Sequence, residues 1–213
     1  MKKLTAICAV VLAMSAGACA VPERSRETAN PATPPRALAT QVCSNCHGIA
    51  GIAASPNFPN LAAQQEGYLI AQMKGFRGQA RSDPAGFEYM WGLSKHLTDE
   101  QISGLAAYYA GQPGAALPIG DAKAASAGKD IFENGLVAKS VPACTSCHGP
   151  QGQGTVDFPR LAGQHSDYVE KQLMVFQRTD QRPEGAVMKV IAHGLSRDDM
   201  RAVAAYVQGI PPK

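Results

Sequence analysis

Cys43-Ser44-Asn45-Cys46-His47-Gly48 and Cys144-Thr145-Ser146-Cys147-His148-Gly149 are two copies of one hexapeptide, 101 positions apart in a chain of 213 residues. Cys-x-x-Cys-His is the attachment pattern of c-type haem. Two thiols a helical turn apart add across the two vinyl groups of the porphyrin, and the adjacent histidine comes to lie beneath the iron. Other chemistries also use paired cysteines. Four cysteines in an exported chain can form two disulfides. A thioredoxin-like redox pair sits in a βαβ unit, of which this sequence shows no sign. A zinc site would need ligands from both copies to converge, which would leave each copy without its own core. The histidine after each pair favours haem. The motifs predict two covalently bound haems c, attached through Cys43, Cys46, Cys144 and Cys147, with His47 and His148 as proximal iron ligands.

The likeness runs outward from the motifs. Phe58-Pro59-Asn60-Leu61-Ala62-Ala63-Gln64 matches Phe158-Pro159-Arg160-Leu161-Ala162-Gly163-Gln164 at an offset of 100, and Tyr68, Gln72 and Phe76 match Tyr168, Gln172 and Phe176. Further on, Leu97, Ala106, Ala107 and Tyr108 match Leu195, Ala204, Ala205 and Tyr206 at an offset of 98. An offset that drifts by a few residues marks a tandem duplication with small loop insertions. Each copy reads as helical: a helix leading into the motif, another over 68–76 or 168–176, and a last one after a capping signal at Thr98 or Ser196. No alternating run is long enough for a sheet. The fold class is all-α, with two tandem domains at 37–110 and 124–213 joined by a Gly/Pro-rich linker over 111–123.

The second axial ligand decides what the iron does, because an open iron binds substrates and a closed one passes electrons. Five methionines follow residue 20: Met73, Met90, Met174, Met188 and Met200. The duplication sorts them. Met90 lies seven residues before Leu97 and Met188 seven before Leu195, in segments that follow Asp83-Pro84 and Arg182-Pro183 and are expected to be irregular. Met73, Met174 and Met200 face Leu173, Lys74 and Ile102, as ordinary helix residues do. His96, His165 and His193 have no counterpart in the other copy and are expected at the surface or behind the site. Met90 and Met188 are therefore the expected sixth ligands. Methionine ligation raises the reduction potential and fills the coordination sphere, so single-electron transfer is the expected function.

The N-terminus adds the compartment. Lys2 and Lys3, an apolar run over 4–14 and the small residues of 15–20 have the anatomy of a secretory signal, too short to span a membrane. Cleavage after Ala20 would use Ala18-x-Ala20. The stretch 16–19 also reads as an approximate lipobox, which would leave Cys19 lipidated as a membrane tether. Both readings place the protein in the periplasm. Residues 21–36 are expected to form a Pro-rich tether. The net charge of +3 falls to +1 once Lys2 and Lys3 are removed, which excludes the basic footprint of a nucleic-acid binder.

Taken together, the CxxCHG motifs, the FPxLA(A/G)Q segments, and the methionines followed by Leu-Ser/Thr and an AAY helix resemble the dihaem cytochrome c4 family over about residues 37–210. The resemblance implies two His/Met haems that meet near the domain interface, and the Pro59 and Pro159 carbonyls as acceptors for the proximal histidines. It also implies an electron carrier rather than an enzyme, with a quinol-oxidising complex or a dehydrogenase as donor and a terminal oxidase as acceptor. The cytochrome subunit of a flavocytochrome-like dehydrogenase, or less readily a dihaem peroxidase, would share the motifs. Two departures stand out. The Gly128/Phe132 spacing of the second copy has no equivalent over Arg36–Thr40, and an insert over 134–141 precedes the second motif. The two haems are expected to be inequivalent.

Overall fold

A computed structural model describes residues 26–115, 117–156 and 158–212. The expected signal over 1–20, with Cys19, lies outside the described residues. The first domain contains α1 (Pro35–Leu38), a π-helical turn over Ala39–Cys43, α2 (Ser44–His47), α3 (Glu66–Arg77), a second π turn over Gly86–Met90, α4 (Trp91–Ser94) and α5 (Asp99–Ala110). The second contains α6 (Ala122–Asn134), a 3-10 turn over Val137–Lys139, α7 (Thr145–His148), α8 (Ser166–Arg178), a 3-10 turn over Pro183–Gly185, α9 (Ala186–His193) and α10 (Arg197–Gly209). Among the described residues there is no strand, only an isolated bridge between Leu136 and Val141. None of the described helices is long and apolar enough to cross a membrane.

The two cores use the same positions. Leu69, Leu97, Ile102, Leu105 and Tyr109 are buried in the first domain; Val169, Leu195, Met200, Val203 and Val207 take their places in the second. α5 and α10 begin as the sequence predicts. Thr98 and Gln101, and likewise Ser196 and Asp199, form reciprocal capping boxes that satisfy two helix-end donors each. Met73, Met174 and Met188 pack against the cores, and Met200 is fully buried.

The first and last helices of each domain cross so closely that one of them needs a glycine. In the second domain it is Gly128, where a Cβ would lie 1.9 Å from the Ala202 carbonyl oxygen. In the first domain it lies on the other helix: a Cβ at Gly104 would meet the Pro35 ring at 2.4 Å. Gly104 is the duplication partner of Ala202. The missing glycine over Arg36–Thr40 has thus moved to the facing helix, and the crossing is kept.

Two expectations need correction. The 21–36 stretch is not an extended tether over its last residues. Thr33 is buried, and Gln101 Nε2 donates to the carbonyls of Asn30 (2.9 Å) and Thr33 (3.1 Å), which docks the segment on α5. The linker is packed as well: Ala115 is buried, and Gln208 Nε2 donates to the Pro118 carbonyl at 2.7 Å. The methionine segments are helical, not irregular. Met90 ends a π turn and Met188 lies in α9, because Pro183 stands at the first position of a helical turn, where its missing N–H costs nothing. The insert forms a small knob, closed by the Leu136–Val141 bridge and held to α10 by Lys139 and Asp199 at 2.5 Å.

Candidate haem sites and the interface between them

α2 and α7 are single turns that carry the second cysteine and the histidine of each motif. Cys43 and Cys144 stand just before them, so each cysteine pair shares one helix face. None of the four forms a disulfide, and burial pushes the Cys43 and Cys144 thiols up to about 11. That is the reverse of a redox Cys-x-x-Cys pair, whose reactivity depends on a lowered thiol pKa. Among the described residues, no three His, Cys, Asp or Glu side chains converge as a metal cage, so the zinc alternative has no support.

His47 and His148 are both buried, and each ring is oriented in the same way. Nδ1 of His47 donates to the Pro59 carbonyl at 2.9 Å, and Nδ1 of His148 donates to the Pro159 carbonyl at 2.9 Å. A carbonyl can only accept, so the proton sits on Nδ1 and the lone pair on Nε2. Burial lowers both histidine pKa values, against the opposing effect of the carbonyl bond, which keeps the rings neutral as a metal ligand must be. Phe58 and Phe158 lie edge-on to these rings, with centroids 6.1 and 6.0 Å away. The residues present therefore fit haem c: paired thiols one turn apart and a neutral, oriented imidazole beside them.

Gly48 and Gly149 end the turns at φ +74° and +80° with extended ψ, a region open in practice only to glycine. A Cβ at Gly48 would lie 2.1 Å from the Ile52 carbonyl oxygen. Crowding against the chain's own backbone thus requires the glycine at position 48. The two sites differ on the methionine side. Tyr89, next to Met90, packs edge-on against Phe58 at 5.9 Å, and Trp91 Nε1 donates to the Arg81 carbonyl at 2.8 Å. The corresponding Val187 is exposed. His96 and His193 are exposed, as expected. His165 is not: it is buried, with Nε2 2.9 Å from the Ala53 carbonyl of the other domain.

The domains meet across a pseudo-twofold polar interface that the sequence reading did not foresee. Gln64 Nε2 donates to the Arg160 carbonyl (3.0 Å) and Gln64 Oε1 accepts from Arg160 N (2.7 Å). Gln164 treats Asn60 in the same way, at 2.9 and 2.8 Å. Beside these clasps lies a buried cluster. Arg81 makes a two-point bond to Asp83 (3.0 and 3.1 Å) and donates to Gln72 (2.6 Å). Arg182 donates to Gln172 (2.6 Å), Gln72 (2.9 Å) and Tyr68 (3.2 Å). Each guanidinium lies over the phenylalanine of its own domain, Phe76 at 4.4 Å and Phe176 at 4.6 Å. The signal was present in the repeat: Gln64, Tyr68 and Gln72 recur unchanged at Gln164, Tyr168 and Gln172. Such polar identities are not needed for two separate apolar cores.

Covalent haem attachment is the chemistry left that uses this arrangement twice in two like helical domains, and it places the chain among the c-type cytochromes. The cytochrome c family model matches residues 34–110 and 125–211. Cytochrome c4 of Pseudomonas aeruginosa is 39% identical over 173 residues, covering 79% of this chain and 84% of that one. This chain belongs to the cytochrome c4 family. The crystal structure of reduced recombinant cytochrome c4 from Pseudomonas stutzeri superimposes with a TM-score of 0.74 at 35% identity, over 83% of this chain and 96% of that one. A thiosulfate dehydrogenase electron acceptor of Stutzerimonas stutzeri is 34% identical over 82% of each chain. The family is dihaem, and the protein is an electron carrier with two covalently bound haems c.

Proposed function

We propose that this protein is a periplasmic electron shuttle whose haems are attached through Cys43 and Cys46, and through Cys144 and Cys147. His47 with Met90, and His148 with Met188, are the axial ligands. Bound haem supplies a one-electron Fe(III)/Fe(II) couple; the chain supplies ligation, orientation and a dry surround. The observation that carries the reading is the matched Nδ1 bond of both histidines to proline carbonyls, which leaves each Nε2 lone pair free to ligate. Met90 and Met188 are the methionines that recur at equivalent positions of the two copies. Iron held by a histidine and a methionine would have no open position for oxygen or peroxide, which favours electron relay, here from a quinol-oxidising complex to a terminal oxidase.

A second reading, service to a periplasmic dehydrogenase, is favoured by the likeness to the thiosulfate dehydrogenase electron acceptor. Stopped-flow reduction by each class of donor separates the two. The ligand set is tested by the charge-transfer band of methionine-ligated ferric haem. Met90→Ala and Met188→Ala are each expected to remove about half of it, and Met73→Ala and Met174→Ala none. High-spin iron in the wild type as isolated would overturn the assignment.

A further inference from the structure

The Pro59–Asn60 peptide group faces two ways. Its carbonyl accepts the Nδ1 proton of His47 at 2.9 Å, and its N–H donates to Gln164 Oε1, in the second domain, at 2.8 Å. The Pro159–Arg160 peptide repeats this in mirror order: its carbonyl accepts from His148 at 2.9 Å and its N–H donates to Gln64 Oε1, in the first domain, at 2.7 Å. The C=O and N–H of one trans peptide point in opposite directions. Each histidine is thus the start of a hydrogen-bond chain that crosses the interface and ends on a glutamine of the other domain. All four flanking residues, Asn60, Gln64, Arg160 and Gln164, are buried, so no bulk water competes for these bonds. The glutamines are themselves held: the Nε2 of each donates back to the carbonyl of the residue it clasps, and each Oε1 also accepts from the next backbone N–H.

We infer that Gln64 and Gln164 are positioning residues that tune the two haems crosswise: Gln164 sets the reduction potential of the first-domain haem, and Gln64 that of the second. The inference rests on His47 and His148 being the axial ligands. Hydrogen bonds in a chain polarise one another, so a peptide whose N–H is engaged offers a stronger carbonyl acceptor. A stronger acceptor at Nδ1 makes the imidazole a better donor to the metal, which favours Fe(III) and lowers the potential. Loss of the glutamine oxygen has the opposite effect, and it acts on the haem of the opposite domain.

The test is spectroelectrochemistry of holoprotein Gln164→Met and Gln64→Met. Each haem is assigned by the methyl resonance of its ligating methionine in the reduced state. Gln164→Met is expected to raise the potential of the first haem, changing its oxidised-to-reduced ratio several-fold with the second unmoved; a tenfold change is 59 mV for a one-electron couple. Gln64→Met is expected to do the reverse. The His Nδ1 proton of the affected haem alone moves upfield as its bond weakens. Should the apolar variants fail to fold, Gln164→Asn and Gln64→Asn, which shorten the reach and keep the amide, read the same pattern. Equal shifts at both haems, or a shift confined to the glutamine's own domain, would show general loosening of the interface and overturn the inference. So would an unchanged pair of potentials. Failure of the ligand reading shows separately, as missing methionine methyl signals in the wild type.

Discussion

Arg81→Met is the substitution that most directly tests the buried cluster between the domains. Arg81 is 4% exposed and Asp83 is 0% exposed, and the guanidinium holds both carboxylate oxygens. Methionine fills much of the same volume and keeps contact with Phe76, so the change removes the charge and its hydrogen bonds while leaving the packing. What remains for Asp83 is the Gln172 amide at 3.2 Å and the more distant charge of Arg182. Leaving a buried charge without its partner costs about 3–5 kcal/mol. Each kcal/mol lowers the melting temperature of a protein of this size by about 2–4 °C, so a fall of roughly 6–20 °C is expected.

The pH dependence supplies an internal check. Burial alone would raise the Asp83 pKa, but the hydrogen bonds and charge of Arg81 outweigh it and hold the carboxyl below its usual range. A group whose folded pKa is depressed contributes stability that is full above the unfolded value, near 4, and lost as pH falls through the folded value. In Arg81→Met the same carboxyl is raised instead, so the cost of the substitution is largest at neutral pH and shrinks as acid neutralises Asp83. Guanidinium unfolding of the holoprotein, followed by circular dichroism and haem absorbance between neutral pH and about 4, measures both effects. The double variant Arg81→Met/Asp83→Leu should recover most of the loss, since an apolar pair can replace a buried ion pair at little cost. A single variant within about 1 kcal/mol of wild type, or a cost that does not change with pH, would refute the reasoning.

Gly128→Ala drives a Cβ into the Ala202 carbonyl and is expected to cost about 1–3 kcal/mol or more; haem absorbance should show the second domain unfolding first. Gln101→Ala removes both the α5 capping box and the two bonds that dock residues 30–33, for a loss of about 1–2 kcal/mol. Limited proteolysis should then cut within 26–34, where the wild type resists. Gly48→Ala meets a backbone oxygen at 2.1 Å, whereas Gly149→Ala meets only the Gln153 side chain, which can turn away. The yield of dihaem protein, read as haem per chain, should therefore fall more in the first variant than in the second.

The parts of this fold that were legible in the sequence are those where chemistry or periodicity leaves a local mark. The Cys-x-x-Cys-His turns, the capping boxes at Thr98 and Ser196, and the apolar spacing of α5 and α10 each lie within a few residues of chain. The methionine segments were misread because a proline at the first position of a turn and a proline that breaks one look alike in sequence. Only the buried Asp83, whose carbonyl receives the N–H groups of Gly86 and Phe87, shows that the chain winds on after Pro84. The 30–36 stretch was misread for a related reason. Three prolines forbid a regular helix, but Gln101 supplies the partners that the segment cannot supply itself.

The interface left its mark in polar residues rather than at the apolar positions that define the cores. Gln64 and Gln164, Tyr68 and Tyr168, and Gln72 and Gln172 are identical polar pairs in copies that elsewhere allow Ile102 to face Met200 and Tyr109 to face Val207. Core positions tolerate exchange among apolar residues of similar volume, so identity there carries little information. A pseudo-twofold contact is stricter, because each residue must serve the same bond from both sides. Gln72 and Gln172 each accept from both arginines, and Gln64 and Gln164 each clasp the peptide that follows the other domain's proline. Polar identity between two copies of a duplicated chain thus points to the surface on which the copies meet. Asn60 and Arg160 break the identity without breaking the clasp, because the clasp uses only their backbone. The side chains are then free to diverge. Asn60 bonds Ala53 and Gly163, whereas Arg160 turns back to the Ala162 carbonyl.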